Sequence, residues 1–120
     1  MTSNRIAHIT TQPDWRAAQT QGEYRAASLE TQGFIHCSTP EQVLRVANAF
    51  YRDASNLVLL WIAPERVQAE IKWEPPDMSD PHAGELFPHI YGPLNVDAVT
   101  GASDFSPWAD GSFRELPSPQ

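Results

Sequence analysis

The sequence has little of what holds many small domains together. Among its 120 residues there is one cysteine, Cys37, which excludes an internal disulfide and a zinc site built on paired thiolates, so the fold must be held by its core. Lysine is almost absent: Lys72 stands beside seven arginines, and eight basic residues against fifteen acidic ones give a formal charge of −7. Sequence-independent binding to a phosphate backbone depends on basic residues displacing counterions, so this balance argues against nucleic acid as a partner. It leaves room for a small anionic ligand held by one or two local donors. No apolar run approaches the ~20 residues of a membrane span, and Met1 to His8 carries no secretory apolar segment. A cytoplasmic, reducing setting with no membrane partner is the expectation. Neither Gly-x-Gly-x-x-Gly nor a phosphate-loop pattern occurs, which removes the usual dinucleotide and nucleoside-triphosphate signatures.

What is present suffices for one domain. With 41% hydrophobic and 19% charged residues the chain should fold, and residues 1–120 are expected to form a single domain. Its Pro-rich end should lie against the body through Phe105, Trp108 and Phe113 and fray over about 114–120.

The local signals come in order. Arg5 to Thr10 is short and half apolar, as a first strand would be. Thr11 with Asp14 three positions on is an N-cap pattern, Pro13 suits a first turn and Gly22 suits a stop, which predicts a helix between them. Tyr24 to Gln32 has no clear period and reads as a loop or a single helical turn. Gly33 to Ser38 reads as a second strand running into another helix start, with Ser38 or Thr39 as cap, Pro40 early, and Glu41 or Gln42 closing a capping box. Val43, Val46, Ala47 and Phe50 form one stripe at helical spacing that must pack against a sheet. Leu57 to Ile62 is apolar on both faces, as in a central strand buried on both sides. Beyond Pro64, Glu70 to Glu74 alternates Ile71 and Trp73 with charged neighbours, as a half-buried strand does. Pro75 to Gly84, which includes His82, reads as a surface loop, and Leu86 to Tyr91 and Leu94 to Thr100 as two strands joined at Gly92-Pro93. Trp61 and Trp73 read as core. Five or six strands with two principal helices predict an α+β fold with a mostly antiparallel sheet rather than a doubly wound one.

Three of the four histidines share a pattern. His8-Ile9-Thr10, His36-Cys37-Ser38 and His89-Ile90-Tyr91 each place a hydroxyl two residues after an imidazole. On a strand, i and i+2 share a face, so each pair presents ring and hydroxyl together, while Ile9, Cys37 and Ile90 turn into apolar packing. If the three strands are neighbours, the pairs could line one cleft of groups that titrate near neutral pH. Glu74 or Glu85 could orient an imidazole or polarise a hydroxyl, and Arg25 with Ser28 could close over an anion. Cys37 reads as a buried small hydrophobe rather than a nucleophile.

Gly33-Phe34-Ile35-His36-Cys37-Ser38 and Phe87-Pro88-His89-Ile90-Tyr91-Gly92-Pro93-Leu94, together with His8-Ile9-Thr10, Gly22-Glu23-Tyr24, Ser28-Leu29, Leu57-Val58-Leu59-Leu60 and Trp73-Glu74, resemble the bacterial family catalogued as domain of unknown function 952. That family is similar in fold to the ADP-ribosyltransferases, whose split sheet binds NAD in a cleft, and the two His-x-hydroxyl strands look most like the RNA 2′-phosphotransferase branch. The resemblance implies that His8, supported by Thr10, bonds the ribose of NAD, and that His36 stands where other branches place a nicotinamide-stacking tyrosine. It also implies that His89 or Tyr91 lies near the position where many members carry a catalytic glutamate. No equivalent of that glutamate is evident, and the basic amino-terminal domain of the RNA enzymes has no counterpart here.

The expected function is thus an NAD-binding, ADP-ribosyltransferase-like transferase. His8, His36, His89 and Glu74 are its candidate catalytic residues. Thr10, Arg25, Ser28, Ser38 and Tyr91 join His8 and His36 as candidate cofactor contacts. Two other readings stand beside it: a non-catalytic module of the same fold that binds a nucleotide or another small ligand, and a metal site built from His8, His36 and His89.

Overall fold

In the computed structural model, which describes residues 5–75 and 85–117, helices and strands alternate in the first half and strands take over in the second. The order is β1 (Ile6–Thr11), α1 (Gln12–Gln21), β2 (Glu23–Tyr24), α2 (Ala27–Thr31), β3 (Ile35–His36), α3 (Pro40–Phe50), β4 (Leu57–Ile62), β5 (Glu70–Glu74), β6 (Phe87–Tyr91), β7 (Leu94–Asn95) and β8 (Val99–Asp104), with 3-10 turns at Pro64–Arg66 and Val96–Ala98. The fold is α+β, with three helices where two principal ones are expected, the added α2 being five residues long. Apart from Pro75, the expected Pro75–Gly84 loop and its His82 lie outside the described residues.

Both long helices start and stop on the signals in the sequence. The Thr11 hydroxyl accepts from the Asp14 N–H at 3.3 Å, and Gly22 closes α1 at φ 86°, a conformation that costs glycine nothing, with its N–H donating to Ala18 O at 2.8 Å. In α3 the Thr39 N–H donates to Gln42 Oε1 at 2.9 Å and Pro40 sits in the first turn.

The strands form two three-stranded antiparallel sheets, β1-β4-β8 and β3-β6-β5, and a short ladder of β2 with β7. The two sheets meet at one residue pair, where Ala7 and Ser38 exchange backbone hydrogen bonds of 2.8 Å each. The result is one split sheet whose halves are joined at that bridge. β4 is buried along its whole length because both faces of the first half are covered. Leu57, Leu59 and Trp61 pack with Ala7, Ile9, Val43, Ala47, Phe105 and Phe113, while Val58, Leu60 and Ile62 pack with Ile6, Ala18, Tyr24, Ile35, Cys37 and Ile90. One cluster sits under α3 and the chain's end; the other lies between the sheet halves and under α1. Packing of the end continues to Leu116, whereas Trp108 is half exposed with the Arg114 guanidinium over its ring.

Four expectations need correction. Gly33–Ser38 is not one strand: only Ile35 and His36 pair with β6, and Ser38 crosses to Ala7 because the chain changes sheets there. Leu94–Thr100 breaks for the same reason, β7 pairing with β2 and β8 with β4 across a 3-10 turn. The five-residue α2 is the single helical turn expected within Tyr24–Gln32, but Tyr24 itself belongs to β2. Phe50 and Trp73 are not core. Phe50, 78% exposed, lies one turn past Ala47 where the helix outruns the sheet, and Trp73 sits near the end of the outer strand β5.

Gln42 ties α3 to β6. Besides capping Thr39, its Nε2 donates to Leu86 O at 2.9 Å and to Glu85 Oε2 at 3.1 Å. Gln42→Ala should therefore lower unfolding free energy by about 1–3 kcal/mol, the cost of buried groups left unpaired, seen as a lower urea midpoint at unchanged slope. A midpoint equal to that of the parent protein would contradict this role.

Candidate functional site

His8 is carried by β1 on the face shared with Ile6 and Thr10, directly beside the bridge between the sheet halves. Its two ring nitrogens are both engaged. Nδ1 lies 2.5 Å from His36 O and Nε2 lies 2.8 Å from the Tyr24 hydroxyl. A carbonyl only accepts, so Nδ1 carries the hydrogen, and Nε2 must accept from Tyr24. The Tyr24 oxygen in turn is hydrogen-bonded by Thr10. This closes a chain from Thr10 through Tyr24 and His8 to the backbone of His36. Burial lowers the His8 pKa to about 4 against the opposing pull of the His36 carbonyl, and pushes the Tyr24 hydroxyl up to about 12. At pH 7 the chain of groups is neutral.

His36 and His89 face each other across β3 and β6, with ring centroids 5.2 Å apart and nearly perpendicular. Phe34 stacks on His89 at 4.1 Å and meets His36 edge-on at 4.8 Å. The exposed His36 ring contacts Gln32 Oε1 through Nε2 at 2.7 Å, and partial burial together with His89 lowers its pKa. His89 is buried, with Nδ1 donating to Glu74 Oε1 at 2.8 Å, and the same oxygen accepts from the Tyr91 hydroxyl at 2.6 Å. These two bonds, the Tyr91 one first, hold the Glu74 carboxyl below the usual carboxylate range, and the bond to Glu74 raises the Tyr91 hydroxyl. Lys72 adds its ammonium 4.7 Å over the Tyr91 ring.

Two hollows open beside these residues. The first, about 290 Å³, lies at the split and is walled by His8, Thr10, Tyr24, Ser28, His36, Ser38 and other groups that include Asp14. The second, about 440 Å³, is walled by Cys37, Phe50, Phe87 and His89 and shares His36, Ser38, Val46 and Tyr51 with the first. Together they reach the roughly 300–1,000 Å³ of small-molecule sites. The three ring-and-hydroxyl pairs do not line one cleft as expected. The pairs at His8 and His36 border the first hollow, whereas His89 borders only the second and Tyr91 neither. The reason is topological: His8 and Thr10 face the apolar layer between the sheet halves, and His89 and Tyr91 turn from Ile90, which packs in that layer, to the opposite face.

Of the remaining candidates, Ser28 borders the first hollow with its hydroxyl donating to Phe34 O at 2.7 Å. Arg25 is paired with Glu23 at 2.6 Å and borders neither hollow, and Glu85 is paired with Arg45, away from the histidines. Burial pushes the Cys37 thiol up, as a buried hydrophobe requires. Among the described residues no group of three His, Cys, Asp or Glu is placed to hold a metal. Tyr24, Tyr51 and Phe34 complete the site without any signal in the local sequence pattern. Each earns its place through contacts with other elements.

The depressed His8 pKa makes stability depend on pH. Between about pH 6.5 and 4 the unfolded state binds a proton at His8 that the folded state does not, so stability falls as pH falls through that window. The contribution at stake is on the order of 3 kcal/mol, and His36 acts in the same direction. Urea midpoints measured from pH 7 to 4 should decline, and the decline should be visibly shallower in His8→Gln. Equal slopes would show that His8 does not titrate as described.

The crystal structure of protein CC0527 from Caulobacter crescentus matches this chain with a TM-score of 0.80 at 36% identity, over 92% of this chain and 93% of that one. A double mutant of the same protein gives 0.79 over the same shares, and its solution NMR structure gives 0.76 over 91% and 90%. No curated protein matches the chain. The model of the family described as protein of unknown function (DUF952) covers residues 9–102, a span that takes in every residue bordering the two hollows except Ala7 and His8. The chain belongs to that family.

Proposed function

We propose that the first hollow binds NAD or ADP-ribose through its ribose, and that the protein transfers the ADP-ribosyl group. The observation that carries this reading is the split itself: an antiparallel sheet opened beside the Ala7–Ser38 bridge, with His8 and His36 flanking the opening. The resemblance to ADP-ribosyltransferases carried by the His-x-Thr and His-x-Ser segments supports the same reading. Electrostatics support it too. Loss of nicotinamide would leave an oxocarbenium-like ribose whose anomeric carbon an acceptor nucleophile attacks, its proton passing to solvent, and the lowered pKa values of His8 and His36 keep positive charge away from that centre. A ribose hydroxyl would replace the Tyr24 hydroxyl as donor to His8 Nε2, and Ser38 and His36 would hold the nicotinamide side in place. Glu74 enters from β5 beside His89 and Tyr91, the region where the resemblance implies a glutamate.

A second reading, binding without turnover, is favoured by one observation: Glu74 borders neither hollow, so its carboxylate is not aimed at the proposed ribose. One titration and one assay separate these. NAD and ADP-ribose should shift the amide resonances of His8, Thr10, His36 and Ser38, and no response at millimolar ligand would end both readings. Nicotinamide release by the parent protein, reduced about a hundredfold in His36→Ala, would establish an enzyme, and an ADP-ribosylated acceptor rather than free ADP-ribose as the second product would establish the transferase. Binding without release would establish the module.

A further inference from the structure

His89 is 1% exposed, yet only half of its hydrogen-bonding capacity is used. Nδ1 is bonded to Glu74, while the buried Nε2 has no partner among the described residues. Buried polar side-chain atoms in folded proteins are nearly all paired, so such an atom calls for a cause. The ionised Glu74 carboxylate accepts and cannot donate, so Nδ1 carries the hydrogen and, in the neutral ring, Nε2 is left with a bare lone pair. Phe34 covers one face of the ring at 4.1 Å and the His36 ring stands 5.2 Å away, which leaves the imidazole little freedom to turn toward another partner.

His89 is also one of the residues that wall the second hollow. Among the described residues that wall it, which are Cys37, Val46, Phe50, Tyr51 and Phe87 with the polar His36, Ser38 and His89, there is no Asp, Glu, Lys or Arg. A charged ligand would be desolvated there without a counter-charge, which is costly. Phe50 offers an aromatic ring that is 78% exposed, apolar surface that the fold itself does not cover. Neutral walls, exposed aromatic surface and one unpartnered acceptor specify a ligand by its complement.

We propose that the second hollow is a binding site for a neutral, flat, apolar ligand bearing one N–H or O–H group, with that group donating to His89 Nε2 and the flat body lying against Phe50 and Phe87. Glu74 and Tyr91 act as positioning residues: they fix the tautomer that makes Nε2 an acceptor. The proposal differs from the nucleotide reading in its ligand and in the atom that receives it, although the two hollows share His36, Ser38, Val46 and Tyr51, and its test contains no NAD.

The test titrates the full chain with indole and, separately, with 1-methylindole, which keeps the flat body and lacks the donor. Indole should shift the amides of Cys37, Phe50, Phe87 and His89 and move the side-chain 15N resonance of His89 Nε2. The methylated compound should bind at least about tenfold more weakly, as expected when a buried acceptor stays unpaired. Phe50→Ala, a change at an exposed position, should weaken both compounds to a similar degree. Absence of any response to millimolar indole, equal affinity for the two compounds, shifts confined to residues outside the second hollow, or unaltered binding in Phe50→Ala would each overturn the proposal.

Discussion

The exchange of two backbone hydrogen bonds between Ala7 and Ser38 is the constraint on which the site depends. The Cys37 N–H still donates to Pro88 O on β6 at 3.0 Å, and one residue later the chain is bonded to β1 instead. By the alternation of an antiparallel ladder, His36 turns its backbone groups away from β6 and toward β1. In a continuous sheet its carbonyl would take an N–H from the neighbouring strand. Here the donor is the ring of His8. A side chain thus does the work of a ladder bond at the point where the ladder stops, which satisfies the carbonyl and leaves the first hollow beside it open.

The two buried histidines show opposite solutions to one problem. Placing an imidazole in an apolar layer costs free energy unless both nitrogens find partners. His8 meets the requirement internally: a carbonyl on one side, and Tyr24 with Thr10 behind it on the other. Among the described residues His89 meets it only at Nδ1, and there with a carboxylate, a strong charged acceptor. A closed network favours rigidity around the split. The half-closed one leaves Nε2 unpartnered on a residue that walls the second hollow.

How much of this the sequence discloses follows from the range of each interaction. The caps at Thr11, Gly22, Thr39 and Gln42 act within four residues and are legible, as is the two-sided burial of Leu57–Ile62, which needs only the composition of six consecutive positions. Period-two alternation correctly pairs His8 with Thr10 and His89 with Tyr91, but it cannot say which side of which sheet half a face will meet. That is why three similar motifs end in different surroundings. Apolar identity likewise gives Phe50 and Trp73 a face without saying where the sheet ends. Tyr24 reaches His8 from sixteen residues away, and Glu74 reaches His89 from fifteen, so each bond exists only once the topology has brought separate strands together.

The charge of the chain takes its meaning from this geometry. A formal −7 would impose a field hostile to anions if it were concentrated at the hollows, but among the described acidic residues only Asp14 borders either one. Glu23 is paired with Arg25, Glu85 with Arg45, and Asp110 with Arg114, each on the surface, where such pairs contribute little to stability and where solvent screens them. The groups that border the hollows are mainly rings and hydroxyls, two of them histidines whose pKa values are lowered. Selection of a ligand there must rest on the placement of hydrogen-bond donors and acceptors and on the fit of flat surfaces. A net charge counted along the sequence is therefore the wrong quantity with which to judge what the site can bind, and the number and direction of unpaired lone pairs is the right one.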